Sequence, residues 1–328
     1  MSTPASAPSK SRIDLARGIR EFAADVCAGL RKPQKELHSK YLYDELGSAL
    51  FEAITYLPEY GLTRADERLL AEHAADIAEL IAPPVTVIEL GSGAGRKTRP
   101  ILTALRPSNP GLRYFPIDVS AEALERCRRE LDDVADVRPL PSSYLDGLAS
   151  AVAARVAGEG LLILFLGSTI GNFEPPCALE FLRDLRRALE PGDALLVGAD
   201  LIKEPKRMLP AYDDPTGVTG AFNLNLLGRI NRELGGTFEL PKFEHQARWN
   251  EQQHRIEMHL RSRVDQTVEI RECGLAVALR TDETIWTESS HKFHPADLSA
   301  MAEATGFHVA AQWVDQKWPF AESLWTVR

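Results

Sequence analysis

The chain has little of several things, and each shortage excludes something. Its four cysteines, Cys27, Cys127, Cys177 and Cys273, are scattered over 328 residues, none at a metal-binding or dithiol spacing. A zinc ribbon or a Cys-x-x-Cys redox site is therefore excluded by spacing, and the reducing cytoplasm is the compartment that fits. Its eight histidines form no metal-ligand signature, so no metal is expected. No apolar run reaches the ~20 residues that span a bilayer. No strong basic run relieves a formal net charge of −9, which argues against nucleic acid or an anionic membrane as partner. Internal repeats and low-complexity segments are absent. Residues 1–11 are short, polar and Pro/Ser-rich, without a hydrophobic signal region, and predict a disordered tail. With 44% hydrophobic content the remainder reads as an ordinary soluble chain, expected to be a monomer acting on a small molecule.

The most informative segment is Val85-Thr86-Val87-Ile88-Glu89-Leu90-Gly91-Ser92-Gly93-Ala94-Gly95-Arg96-Lys97-Thr98. An apolar, β-branched run meets an acid and enters Gly-x-Gly-x-Gly, after which a helical stretch begins near Lys97. That order predicts strand, tight turn and helix, with glycines where backbone must approach a ligand. Leu112-Arg113-Tyr114-Phe115-Pro116-Ile117 predicts a second strand ending at Asp118. An acid there can accept both hydroxyls of an adenosine ribose. Capping the helix expected at 121–131 is the other job open to it. Both NAD and S-adenosylmethionine carry such a ribose. The glycines fall at 91, 93 and 95 rather than in the Gly-x-Gly-x-x-Gly register of pyrophosphate binders. The Glu-x-Gly-x-Gly-x-Gly form resembles the first motif of class I S-adenosylmethionine-dependent methyltransferases.

Strands at 85–90, 112–117, 137–140, 161–166 and 193–199 alternate with helices near 97–106, 121–131, 147–157 and 177–189, which predicts a doubly wound α/β sheet. Residues 12–31 and 64–82 have helical periodicity. After Asp200 the rhythm breaks into a helical and loop-like stretch, several strand-like runs over 253–293, a helix near 295–305 and strands near 308–314 and 322–328. The expected organisation is therefore a tail (1–11), N-terminal helices with a cofactor-binding core (12–200), an α+β substrate-binding lobe (201–293) and a C-terminal segment completing the core sheet or the lobe (294–328).

Phe165-Leu166-Gly167-Ser168-Thr169-Ile170-Gly171-Asn172 follows the fourth strand, whose carboxyl end lies beside the cofactor turn in an open sheet. Small residues there admit a substrate, and Asn172 offers a donor and an acceptor, unless it only forms a turn. In Thr287-Glu288-Ser289-Ser290-His291 a strand would turn Glu288 and Ser290 to one face, where a carboxylate and a hydroxyl suit the two nitrogens of an imidazole. An exposed strand face is the plainer reading. Tyr212 reads equally as a packing tyrosine with a wet hydroxyl. Ser290-His291 lacks the Gly-x-Ser-x-Gly elbow of a hydrolase.

Taken together, Tyr43-Asp44, Leu57-Pro58-Glu59-Tyr60, Glu89-Leu90-Gly91-Ser92-Gly93, Phe165 to Asn172, Ala211-Tyr212-Asp213-Asp214, Phe243-Glu244-His245, Arg255-Ile256-Glu257-Met258 and Glu288-x-Ser290 resemble the histidine Nα-methyltransferases of ergothioneine biosynthesis. The resemblance runs from about residue 40 to the C-terminus. It implies a class I methyltransferase core with a second lobe, S-adenosyl-L-methionine as cofactor, and trimethylation of the α-amine of L-histidine to hercynine. It places Tyr43, Gly91, Gly93, Lys97, Asp118, Ser143 and Tyr144 on the cofactor side, with Tyr43 orienting the reacting amine or the cofactor. It places Tyr60, Asn172, Tyr212, Met258, Glu288 and Ser290 on the histidine side. Two departures stand out. Ser143-Tyr144 occupies the adenine edge where the family has Asp-Phe, and Gly61-Leu62 replaces a bulkier Tyr-Pro, which predicts a looser loop after Tyr60. Three other functions compete: methylation of another amino acid or indole amine, cofactor sensing without catalysis, and nicotinamide-dependent redox chemistry. The glycine register and the lack of a proton-shuttling histidine near the fourth strand disfavour the last.

Overall fold

The structure, a computed structural model, describes residues 12–328, with side chains from Gly18 onward; the expected tail lies outside the described residues. Packing divides the chain into two compact units. One comprises Glu52–Pro215, Trp249–Ile256 and Ser289–Arg328, the other the described residues through Phe51 with Thr216–Arg248 and Glu257–Glu288. This division departs from the linear one expected at residues 200 and 293. The helix Arg12–Leu30 groups with the lobe residues, and the C-terminal strands group with the core sheet.

The larger unit is built on one sheet. Its strands are β1 (Val85–Leu90), β2 (Arg113–Asp118), β3 (Asp136–Val137), β4 (Gly160–Phe165), β5 (Ala194–Asp200), β6 (His308–Asp315) and β7 (Phe320–Thr326). They are arranged 3-2-1-4-5-7-6, and the two-residue strand Leu140–Pro141 pairs with the end of β2. β1 to β5 run parallel, whereas β7 is antiparallel to both β5 and β6. This is the class I methyltransferase arrangement that the resemblance implied. Strands of such a sheet are covered on both faces, which is why β1 and β5 are buried throughout and read as nearly continuous apolar runs.

Alternation sends Ile88, Leu90, Ile117, Ile163, Phe165 and Val197 to one face, against helices Tyr144–Ala153, Pro175–Arg187 and Pro295–Ala304. Val87, Tyr114, Leu162, Leu164 and Leu196 go to the other, against Gly61–Glu79, Arg99–Leu105 and Ala121–Leu131. Each helix presents its apolar stripe to the sheet, giving three layers with the β1 turn at the carboxyl edge. The expected strand at 137–140 is the one that fragments, into Asp136–Val137 and Leu140–Pro141.

The smaller unit contains helices Arg12–Leu30 and Val218–Leu234 and an antiparallel pair, Gln266–Ile270 with Leu275–Leu279. A four-stranded sheet in the order Lys35–Glu36, Thr284–His291, Arg255–Ser262, Phe243–Asn250 carries Met258 and Glu288. Cys27 and Cys273 form a disulfide. Their separation of 246 residues is invisible to any spacing rule, so the scattered cysteines do not all stay free. Cys127 and Cys177 do.

Candidate active site

The glycine turn after β1 is tied down from behind. The Gly91 and Ser92 N–H groups donate to the Ile117 carbonyl at 2.8 and 3.2 Å, joining the turn to the end of β2. Gly91, Gly93 and Gly95 all have positive φ, between 52° and 74°, which a side chain would strain. Space in front of Gly93 is open, with no atom within 4 Å of where a Cβ would stand. Over Gly91 lies the Tyr144 hydroxyl, 3.2 Å from that point. The Tyr144 ring meets Phe165 and Phe181 edge-on, and burial pushes its phenol above the ordinary range.

Asp118 does not cap the following helix. Ser120 does, its hydroxyl accepting from Ala123 N–H at 3.2 Å. The Asp118 carboxylate instead accepts from Gly93 N–H at 3.0 Å and Ser120 N–H at 2.9 Å, so it braces the turn. Each carboxylate oxygen retains a further lone pair for a ribose hydroxyl. The open glycine turn and this half-buried acceptor fit an adenosyl cofactor. Ser143 is exposed and donates to Asp146 at 2.7 Å.

Lys97 turns inward. Its ammonium lies 2.9 Å from Asp66, a fully buried acid that also accepts from Gly167 N–H at 3.0 Å. Burial opposes its charge, but Asp66 and Glu89 outweigh that and raise its pKa. Glu89 itself is buried and accepts from Thr98 at 2.6 Å and from the Tyr114 hydroxyl. The acid of the Glu-x-Gly motif therefore braces the sheet. Burial, then Asp66, raises Glu322 well above the usual carboxylate range.

The Gly-Ser-Thr-Ile-Gly-Asn segment crosses from β4 into the turn Thr169–Asn172. Ser168 accepts the Asp200 N–H at 2.9 Å and fastens the segment to the end of β5. A Cβ at Gly171 would stand 2.7 Å from the His291 carbonyl, so glycine lets the chain after Ser290 approach this turn. Asn172 ends the turn, half-buried, and among the described residues its carboxamide makes no intramolecular hydrogen bond. A turn-forming asparagine would bond its own backbone; this one does not.

Tyr60, Tyr212 and Ser290 come together in the larger unit. The two tyrosine rings meet edge-on at 6.3 Å, and the Tyr212 hydroxyl lies 2.8 Å from Ser290 Oγ. The loop after Tyr60 is not loosened by Gly61-Leu62. A Cβ at Gly61 would overlap the Trp318 ring, and Leu62 is buried, so the departure makes room for an indole.

Reading by motif missed the residues beneath this group. Lys292, whose side chain has no exposed surface, donates to Tyr212 Oη at 2.6 Å and to Ser290 Oγ at 2.9 Å. Its ammonium also lies 2.9 Å from Asp200 Oδ2. Asp200 Oδ1 receives Lys203 at 2.5 Å and the Trp318 indole N–H at 2.9 Å. The alternation that paired Glu288 with Ser290, carried one step further, points to Lys292.

In the smaller unit Tyr43 packs edge-on against Phe51 and Phe222 at 5.4 and 5.5 Å. Met258 is buried, and its carbonyl accepts from Thr287 at 3.0 Å. Glu288 is largely buried within the strand Thr284–His291, the secondary structure its reading required. Among the described residues no cluster of His, Cys, Asp or Glu is arranged to hold a metal, and no helix is long and apolar enough to cross a membrane.

Comparison with known proteins identifies the family. A histidine N-alpha-methyltransferase of Mycobacterium tuberculosis is 40% identical over 95% of this chain and 99% of its own. One from Mycolicibacterium smegmatis is 40% identical over 92% of this chain and 93% of its own. Ergothioneine biosynthesis protein 1 of Neurospora crassa is 38% identical over 62% of this chain, which corresponds to 23% of that longer protein. The family described as "Histidine-specific methyltransferase, SAM-dependent" matches residues 22–327. The chain belongs to the histidine-specific, S-adenosylmethionine-dependent methyltransferase family.

Proposed function

We propose that the chain methylates the α-amine of L-histidine three times to give hercynine, the first step of ergothioneine biosynthesis. The observation that carries this reading is the 40% identity to a histidine N-alpha-methyltransferase along nearly the whole of both chains. S-adenosylmethionine, when bound, supplies an electrophilic methyl group. Methyl transfer to a neutral amine moves positive charge without creating any, so the protein's task is to hold donor and acceptor in line. An α-amine with a pKa near ~8 is deprotonated cheaply at neutral pH, and no strong base is needed.

The side chains divide the work. Gly91 and Gly93 admit the cofactor, Asp118 accepts the ribose, and Ser143 and Tyr144 border the adenine. Lys97 acts from below, through Asp66 and the Gly167 backbone. Asn172 and Tyr212 hold the substrate carboxylate, Glu288 and Ser290 take the imidazole nitrogens, Met258 forms wall and Tyr60 closes over the substrate. Tyr43 orients the amine. A site that must release a trimethylammonium needs a roomy amine position without a fixed base.

Mass spectrometry of histidine incubated with purified protein and S-adenosylmethionine tests the reading. The expected product is three methyl groups heavier and carries them on the α-nitrogen. Unmodified histidine beside methylated tryptophan or another amine would refute the substrate assignment.

A further inference from the structure

Beneath Tyr212 and Ser290 the charge does not balance. Lys292 and Lys203, both with side chains at most 3% exposed, share the single fully buried carboxylate of Asp200. A further positive charge, Arg207, lies 5.2 Å from the Trp318 ring, on which Lys203 also sits at 4.8 Å. Buried charge without a partner is costly, so the cluster favours an anion nearby. Burial first, with repulsion from Lys292 and Arg207 adding to it against attraction from Asp200, brings the Lys203 ammonium down to about 8, as expected of a cluster short of negative charge.

Asp200 does not depend on Lys292 for its partners, since Lys203 and the Trp318 N–H already occupy one of its oxygens. Lys292 spends its remaining hydrogens on two hydroxyls, at 2.6 and 2.9 Å. An ammonium donates and never accepts, so each of those oxygens gives up a lone pair to it. The hydroxyls also bond each other at 2.8 Å, which uses one of their two protons. The pair is thereby biased toward donating, and the charge behind it favours an acceptor that is negative.

We propose that Lys292 is a positioning residue that, with Ser290 donating to Tyr212, commits the Tyr212 hydroxyl to donate toward the carboxylate of an amino-acid substrate, and so makes that carboxylate a requirement for binding. This rests on the histidine reading above. It adds a cation that touches no substrate atom and acts through two hydroxyls.

Lys292→Met tests it, because the variant leaves Asp200 paired with Lys203 and the cluster neutral. Titration of histidine and of histamine, which lacks the carboxylate, into protein saturated with adenosylhomocysteine reads the effect. Histidine affinity should fall at least ten-fold, histamine affinity should change less than about three-fold, and adenosylhomocysteine affinity should hold. Lys292→Gln, still neutral but polar, repeats the measurement should the methionine variant fail to fold. Equal losses for both ligands, as a merely structural lysine would give, or an unchanged preference for histidine overturn the inference while the function stands. Wild-type protein that binds adenosylhomocysteine but prefers neither ligand overturns the function reading, and the inference with it.

Discussion

Replacing Asp118 by alanine, beside Ser120 by alanine, separates two jobs that lie two residues apart. The carboxylate accepts Gly93 N–H at 3.0 Å and Ser120 N–H at 2.9 Å, whereas the cap on the helix Ala121–Leu131 comes from the Ser120 hydroxyl. Gly93 is only half-buried, so water can take the place of the lost acceptor, and Asp118→Ala should cost about 1 kcal/mol of stability. The ribose hydroxyls lose a charged acceptor, worth ~1.5–3 kcal/mol, which is roughly a 10- to 150-fold weaker cofactor. Ser120→Ala should cost about 1 kcal/mol as a lost cap and leave cofactor affinity alone. Calorimetric titration with adenosylhomocysteine and thermal unfolding of the ligand-free protein give the two readouts. If Ser120→Ala weakens binding as much as Asp118→Ala, or if Asp118→Ala binds within about two-fold of wild type, the ribose assignment is wrong.

Gly171→Ala puts a Cβ 2.7 Å from the His291 carbonyl and should cost ~1–3 kcal/mol, raising KM for histidine while adenosylhomocysteine binds as before; an unchanged KM would disconnect this contact from the substrate. Asn172→Ala should raise KM about ten-fold with little loss of stability, and unaltered kinetics would return Asn172 to a plain turn residue. Glu288→Ala with Met258→Val should lower kcat/KM for histidine and raise it for tryptophan, because a site that hydrogen-bonds its substrate penalises analogues that leave its polar groups unpaired; wild-type preference in the double variant would move the imidazole subsite elsewhere. Burial holds Lys203 at about 8 when folded against an ordinary 10.5, so the unfolded chain binds more protons between those values and stability should rise with pH across that window. Denaturant midpoints for wild type and Lys203→Met should diverge there, and parallel curves would contradict the burial.

Much of the core was legible because its signals are local. β1 begins and ends where its β-branched run does, and the helix Ala121–Leu131 matches its apolar period from end to end. Parallel strands buried on both faces must be apolar throughout, and a turn that lets backbone approach a ligand must use glycine. The sequence by itself therefore determined the sheet, the turn and the acid at the end of β2. Asp118 remained ambiguous because capping and ribose binding ask for the same residue type, and Ser120 taking the cap removes only the first of the two.

Tertiary structure decided the rest, for one reason: burial and pairing are set by residues distant in sequence. A lysine reads as surface, yet the Lys292 side chain is wholly buried because Asp200 and the Tyr212 hydroxyl, from other segments, join Ser290 of its own in surrounding its ammonium. Gly61 reads as slack until the Trp318 indole occupies the space its missing side chain leaves. Lys97 reads as a ligand contact beside the turn until Asp66, 31 residues earlier, turns it inward. Cys27 and Cys273 meet only because residues from both ends of the chain share one compact unit. A short-range pattern states which residues an element contains, and the long-range contacts determine what each of those residues is free to do.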